Sequence, residues 1–256
     1  MKTFLVQTKQ VGLCNIPATS FGQTAVEIVE YYHWYSPDEK RYTAHPLTWL
    51  RPFNPEELTI DCIPIGSVEF TLDWLKNMGV DNVKPLNIPK ELWEYCRHFV
   101  TVDYCSNVNG RFMLKDTSII KADCNGECYF HGDGGSDKKY FLSEWVEHVN
   151  SEWRVFVFNS EVRDIRCYSG DVWTLPDKEY VEKIAKIYSD VSGKHAFTVD
   201  IMVTDEGKTD IVELHDFFSC GLYGFEDYSV LPLMWSVTMT DILRSAGKIM
   251  YAGGTV

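Results

Sequence analysis

The chain has 256 residues, enough for one large domain or two small lobes around a substantial core. Its apolar content of 45% and aromatic content of 14% exclude an intrinsically disordered chain. Lys and Arg number 24 against 37 Asp and Glu, a net charge of −13. That balance argues against a general nucleic-acid-binding surface, which needs cationic side chains to neutralise phosphates, while leaving room for a local basic nucleotide pocket.

The first residues, Met1 to Gln7, turn polar too early for a secretory signal, and no run of 18 apolar residues follows that would span a membrane. A cytoplasmic protein with reduced thiols is therefore expected. Cys124 and Cys128, with His131 nearby, are the only tight Cys/His grouping, and no second pair follows at zinc-finger spacing.

Phe4-Leu5-Val6 and Ile60 to Ile65 predict strands of a small α/β lobe in a proline-rich N-terminal region. Thr71 to Met78 predicts a short helix ended by Gly79. Val83 to Pro89 reads as a linker, and Pro89 starts a helix holding Leu92, Trp93 and Cys96. The expected division is a lobe over residues 1–89 and a second region over 90–256.

After Gly110 the pattern turns β-like at Arg111 to Lys115 and Ser118 to Ala122, and a polar, glycine-rich loop follows at Asn125 to Ser136. Tyr140 to Val146 and Glu152 to Phe158 follow as further extended segments. In the latter, Arg154 shares a face with Phe156 and Phe158, and a charge on so apolar a strand needs a partner. Asp177 to Ser192 predicts a helix, with Asp177 at its start and Gly193 at its end. A loop of glycines and aromatics from Asp216 to Phe225 precedes a last helix, roughly Leu231 to Ala246.

Between those helices, Phe197 to Val203 and Asp210 to Asp216 alternate apolar and polar residues around a polar turn, the pattern of a β-hairpin. If Thr204 pairs with Thr209, Asp200 lies opposite Glu213. Two facing carboxylates repel, and a divalent cation between them removes the penalty. His215 falls on the face of Glu213 by the two-residue period. Ordinary surface acids on a hairpin remain the alternative at this point.

Lys115, Lys121, the glycine-rich loop, Glu144, Arg154 and the hairpin acids occur in an order suited to triphosphate binding. From about Arg111 to Phe225 that order resembles the ATP-grasp superfamily, and within it the clade marked by one arginine and two lysines, found in phages and bacteria. Ser143-Glu144-Trp145-Val146 matches the linker that binds adenine, Glu152 to Val157 matches an "E-x-R-x-F-V" strand, and Glu213-Leu214-His215 through Gly221 matches an "E-x-N-x-x-x-x-G" segment. The resemblance implies an α+β fold with two lobes clasping ATP, preceded by a small α/β N-terminal lobe that helps choose the substrate.

It also implies an ATP-dependent carboxylate–amine ligase working through an acylphosphate, with ADP and phosphate released. Arg154 and Lys121 are then the catalytic residues, and Lys115, Lys121, Glu144, Trp145, Val146, Asp200 and Glu213 bind the nucleotide. Asp200, Glu213 and His215 hold Mg²⁺. His215 stands where the superfamily typically has Asn, and this softer ligand shifts preference toward Mn²⁺, unless Asp216 supplies the oxygen instead. Ser219 and Gly221 line the acceptor side. The expected substrate is an amino acid or peptide, with a protein acceptor left open and neither nucleic acid nor membrane as partner; Arg163 and Arg166 are candidates for its carboxylate. Kinase-like or adenylating chemistry, or a non-catalytic nucleotide-binding module, are the rival readings.

Overall fold

The computed structural model describes residues 1–36, 41–48, 52–120 and 138–249, with the backbone of Cys128 and Tyr129. Lys121, Cys124, His131 and the glycine-rich loop lie outside the described residues, as does the side chain of Cys128. Two compact units emerge: Met1–Val83 together with Phe217–Val256, and Lys84–Asp216. This differs from the division into 1–89 and 90–256. The C-terminal helix joins the N-terminal lobe, and the linker joins the central unit.

In the first unit the chain runs β1 (Lys2–Val11), β2 (Cys14–Pro17), α1 (Ser20–Tyr35), β3 (Tyr42–Thr48), β4 (Cys62–Ile65) and α2 (Val68–Asn77). β1 pairs antiparallel with β2 and parallel with both β3 and β4. Phe4, Leu5 and Val6 are all buried, as expected for a parallel strand covered on both faces. Thr19 starts α1 by accepting from the Gly22 N–H at 3.1 Å. The sequence reading did not anticipate α1. Its buried face mixes Phe21 and Ile28 with the small Gly22 and Ala25, while the large aromatics Tyr31, Trp34 and Tyr35 are exposed. Exposed aromatics on the outer face blur the usual periodic signal. Helix α2 begins three residues earlier than Thr71, because Ser67 caps it through the Phe70 N–H.

The second unit holds two antiparallel sheets. One contains β5 (Val100–Asp103), β6 (Phe112–Asp116), β7 (Cys128–Tyr129) and β8 (Tyr140–Glu144), in the order β5-β8-β6-β7. The other contains β9 (Val149–Phe158), β10 (Glu161–Gly170), β11 (Ala196–Thr204) and β12 (Thr209–Asp216), in the order β10-β9-β11-β12. Residues 118–120 are a turn and not the start of a strand. Asp116 accepts from the Ser118 N–H at 2.8 Å and its hydroxyl at 2.6 Å, a side-chain turn that competes with strand extension. The segment after Pro89 is a 3₁₀ helix, Lys90–Tyr95. Asn87 in the expected linker bridges to β12, its carbonyl accepting from the Leu214 N–H at 2.6 Å.

Helix α3 (Lys178–Ser192) covers one face of the second sheet, placing Val181, Ile184, Ala185 and Tyr188 in one cluster with Phe197, Val199, Ile201 and Leu214. Each fully buried aliphatic side chain there contributes about 1.5–3 kcal/mol. Asp177 caps α3 through the Tyr180 N–H, and Gly193 ends it at φ +65°. A Cβ at Gly193 would meet nothing within 4 Å, so Gly193→Ala isolates the left-handed backbone cost. That cost is about 1–2 kcal/mol and should lower the melting temperature by roughly 2–8 °C in a thermal scan.

Helix α4 (Leu231–Ser245) returns to the first unit, where Trp235 meets the rings of Phe4 at 5.7 Å and Phe217 at 6.4 Å. Among the described residues no helix is long and apolar enough to cross a membrane.

Candidate functional site

The hairpin expectation holds at its centre and fails at its turn. Val203, Met202 and Ile201 pair with Thr209, Asp210 and Ile211, one residue out of the register that a Thr204–Thr209 pair would set. A bulge between Ile201 and Asp200 then takes up Val212 as an extra residue, so that Asp200 does lie opposite Glu213. Continued without that bulge, the turn-side register would put Val212 there. Bulges of this kind re-aim side chains, and here one creates the acidic pair.

Asp200 is also opposite Arg154 on β9, its neighbour on the other side. The guanidinium donates through Nε to Oδ1 at 2.8 Å and through Nη2 to Oδ2 at 2.7 Å. Both side chains are buried, at 9% and 3% exposure. The charge on this apolar strand thus has the partner it required, in the bidentate geometry that suits arginine and carboxylate. Lys115, from the other sheet of the unit, donates Nζ to Glu213 Oε2. His215 Nε2 lies 2.8 Å from Glu213 Oε1. Burial raises the Glu213 carboxyl, but the hydrogen bond and charge of His215, followed by Lys115, outweigh it and hold the group well below the usual carboxylate range.

Asp200, Glu213 and His215 each present one ligand atom, all within 4.8 Å of one another. Two carboxylates and an imidazole fit a divalent cation, Mg²⁺ or the softer Mn²⁺. Both carboxylates already hold a cationic side chain, yet each oxygen keeps a second lone pair for a metal. Asp216 is engaged elsewhere. It pairs with Lys194 and, after burial itself, is the main influence raising the Tyr188 hydroxyl on α3. It therefore belongs with the α3 side of the sheet.

A cavity of 310 Å³ in the same unit is lined by Glu144, Trp145 and Val146 together with Met113, Glu152 and Met202. The Glu144 carboxylate accepts from the Phe99 N–H at 2.9 Å, and its own N–H donates to the Phe99 carbonyl at 2.8 Å. The Trp145 N–H donates to the Arg111 carbonyl at 2.9 Å, and the Arg111 guanidinium lies 4.1 Å from the centre of its indole. These contacts fix the linker against the first sheet.

Glu152 connects cavity and acidic cluster. Burial pushes its carboxyl up against an opposing hydrogen bond from Tyr168, and the charges of Asp200 and Glu213 push the same way as burial. Burial also raises the Tyr168 hydroxyl, with Asp200 and Glu152 adding to it. Tyr168 was missed in the sequence because it sits in a bulge between Cys167 and Ser169, where strand alternation gives no facing. Arg163 and Arg166, candidates for a substrate carboxylate, pair with Glu161 at 3.1 Å and Asp164 at 2.6 Å. Ser219 and Gly221 fall in the first unit, where the Ser219 hydroxyl donates to the Gly66 carbonyl at 2.8 Å.

The chain has the ATP-grasp fold. The likeness extends over nearly the whole chain to a RimK domain ATP-grasp protein from Sphaerobacter thermophilus, with 9% identity and a TM-score of 0.54, covering 94% of this chain and 99% of that one. D-alanine–D-alanine ligase from Bacillus anthracis aligns at 12% identity and a TM-score of 0.52, covering 97% and 98%. A D-cycloserine synthetase aligns at 9% identity and a TM-score of 0.52, covering 93% and 99%. Residues 118–233 match the family model described as ATP-grasp domain, R2K clade family 2. No curated protein sequence matches the chain.

Proposed function

We propose that the protein is an ATP-dependent carboxylate–amine ligase that joins an amino acid or peptide to an amine through an acylphosphate, releasing ADP and phosphate. The observation that carries this reading is the convergence of Lys115, Arg154, Asp200, Glu213 and His215 beside a cavity lined by Glu144, Trp145 and Val146. The cavity would take the adenosine. With the Glu144 and Trp145 N–H groups held by backbone carbonyls, the Val146 N–H is the linker backbone donor that would meet the base.

Asp200, Glu213 and His215 would hold Mg²⁺, which neutralises β- and γ-phosphate charge when bound. Lys115 would leave Glu213 for the phosphates, and Arg154 would stabilise charge on the transferring phosphoryl group and on the tetrahedral adduct formed when the amine attacks. Lys121 is assigned the same phosphate role from the family pattern. An amino-acid or peptide substrate suits the names of the structural neighbours, D-alanine–D-alanine ligase and D-cycloserine synthetase. A cytoplasmic setting suits ATP as co-substrate.

Thermal denaturation with ATP, with and without Mg²⁺ or Mn²⁺, tests the site. Saturation at a hundredfold the Kd stabilises the native state by about 2.7 kcal/mol, a rise of several degrees. The rise should require the metal and vanish in Asp200→Asn/Glu213→Gln; no rise with either metal would sink the assignment. A second reading, a non-catalytic nucleotide module, is favoured by one observation. His215 and the two cationic side chains balance the carboxylates without an ion. Product analysis separates these and the other chemistries: a ligase yields amide, ADP and phosphate, a kinase-like enzyme ADP with no amide, an adenylating enzyme AMP, and a non-catalytic module none of them.

A further inference from the structure

A buried relay of three side chains abuts the cavity. Asp210 Oδ2 lies 2.7 Å from His98 Nδ1, and His98 Nε2 lies 2.9 Å from Ser143 Oγ. The imidazole and the carboxylate are only 4% and 5% exposed. Asp210 also accepts from the Arg97 N–H at 2.9 Å, the Ile211 N–H at 2.8 Å and the Tyr180 hydroxyl at 3.3 Å. A carboxylate surrounded by donors acts as acceptor, so Nδ1 of His98 carries the proton. In Ser–His–Asp systems the acid fixes the imidazole tautomer in the same way. With the imidazole neutral, His98 Nε2 then offers a lone pair, and the Ser143 hydroxyl donates its proton to it. What Ser143 has left to offer a ligand is acceptor capacity alone.

Ser143 stands directly opposite Met113 in the sheet, and both residues line the cavity. Directly opposed residues of paired strands project to the same face, so the hydroxyl is on the cavity side. We propose that Ser143 Oγ is the base-selecting group of the site: held as an acceptor by His98 and Asp210, it takes a proton from the 6-amino group of a purine and disfavours a 6-oxo purine. This rests on reading the cavity as the nucleobase site.

The test is equilibrium binding of ATP and ITP, with Mg²⁺, to the full chain and to Ser143→Ala, Ser143→Cys and Asp210→Asn, each first checked by a thermal melt. A missing or mismatched hydrogen bond in such a site changes affinity by about 5–150-fold, and the wild type should prefer ATP within that range. Ser143→Ala should weaken ATP and leave ITP unchanged, bringing the ratio to near unity. Ser143→Cys, with a weak sulfur acceptor, should narrow it while preserving volume. Asp210→Asn frees the imidazole to adopt the other tautomer, so the intact Ser143 can donate and the ratio should shift toward ITP. ATP binding with a ratio unchanged in folded Ser143 variants would overturn the proposal alone. A wild type that binds neither nucleotide would overturn the cavity reading and this inference together.

Discussion

Arg154→Met is expected to abolish turnover and to destabilise the fold. Removing the guanidinium leaves Asp200, 3% exposed, as an unpaired buried carboxylate, and breaking such a pair from one side costs about 3–5 kcal/mol. If Arg154 also stabilises the transferring phosphoryl group, product formation should fall by about 10³–10⁵-fold. Arg154→Lys separates the two effects. It keeps the charge but loses the fork that holds both oxygens of Asp200, so most of the stability should return while turnover stays low. Urea unfolding and single-turnover ADP release would measure them in parallel. Near-normal turnover in Arg154→Lys would remove the arginine from the chemistry and leave it a structural partner.

The second large effect concerns Lys115 and pH. Glu213 has a depressed pKa in the folded protein, so its interactions stabilise the native state above the unfolded carboxylate range and are lost as pH falls through the lower folded value. The wild type should therefore begin to lose this contribution as pH drops below the unfolded carboxylate range, and lose it fully only below the depressed folded value. Lys115→Met removes one of the cationic partners, raises the folded pKa of Glu213 and moves the acid limb of the stability curve to higher pH. At neutral pH the loss should be about 1–3 kcal/mol, below that of a fully buried pair because Glu213 is 21% exposed. Stability measured against pH checks the sign: an acid limb that does not move would mean Lys115 does not hold Glu213 in solution. The same substitution should weaken ATP binding, since Lys115 is assigned to the phosphates.

Much of the site was legible because its chemistry is local in sequence. Asp200, Glu213 and His215 fall within one hairpin, where strand alternation puts Glu213 and His215 on one face, and the same alternation marked Arg154 as a charge in need of a partner. Helix α3 was equally plain, with its cap at Asp177 and its stop at Gly193 in adjacent sequence. The order of these residues was enough to suggest the ATP-grasp fold.

Other features depended on contacts that no linear pattern encodes. The pairing of Asp200 with Glu213 arises from a bulge at Val212, and the sequence reading reached the right pair from a turn register that does not occur. The partner of Arg154 is 46 residues away, that of Lys115 is 98, and the relay through His98 joins Asp210 and Ser143 from three separate segments. Helix α1 escaped notice because its large aromatics Tyr31, Trp34 and Tyr35 face outward, and α4 joined the N-terminal unit through Trp235 and not through its neighbours in sequence. Alternation, caps and turn residues act over a few positions, so the sequence by itself determined the elements and the kind of chemistry. Which carboxylate meets which cation is decided by strand order and bulges, which set distances between residues far apart in the chain, and that belonged to the tertiary structure alone.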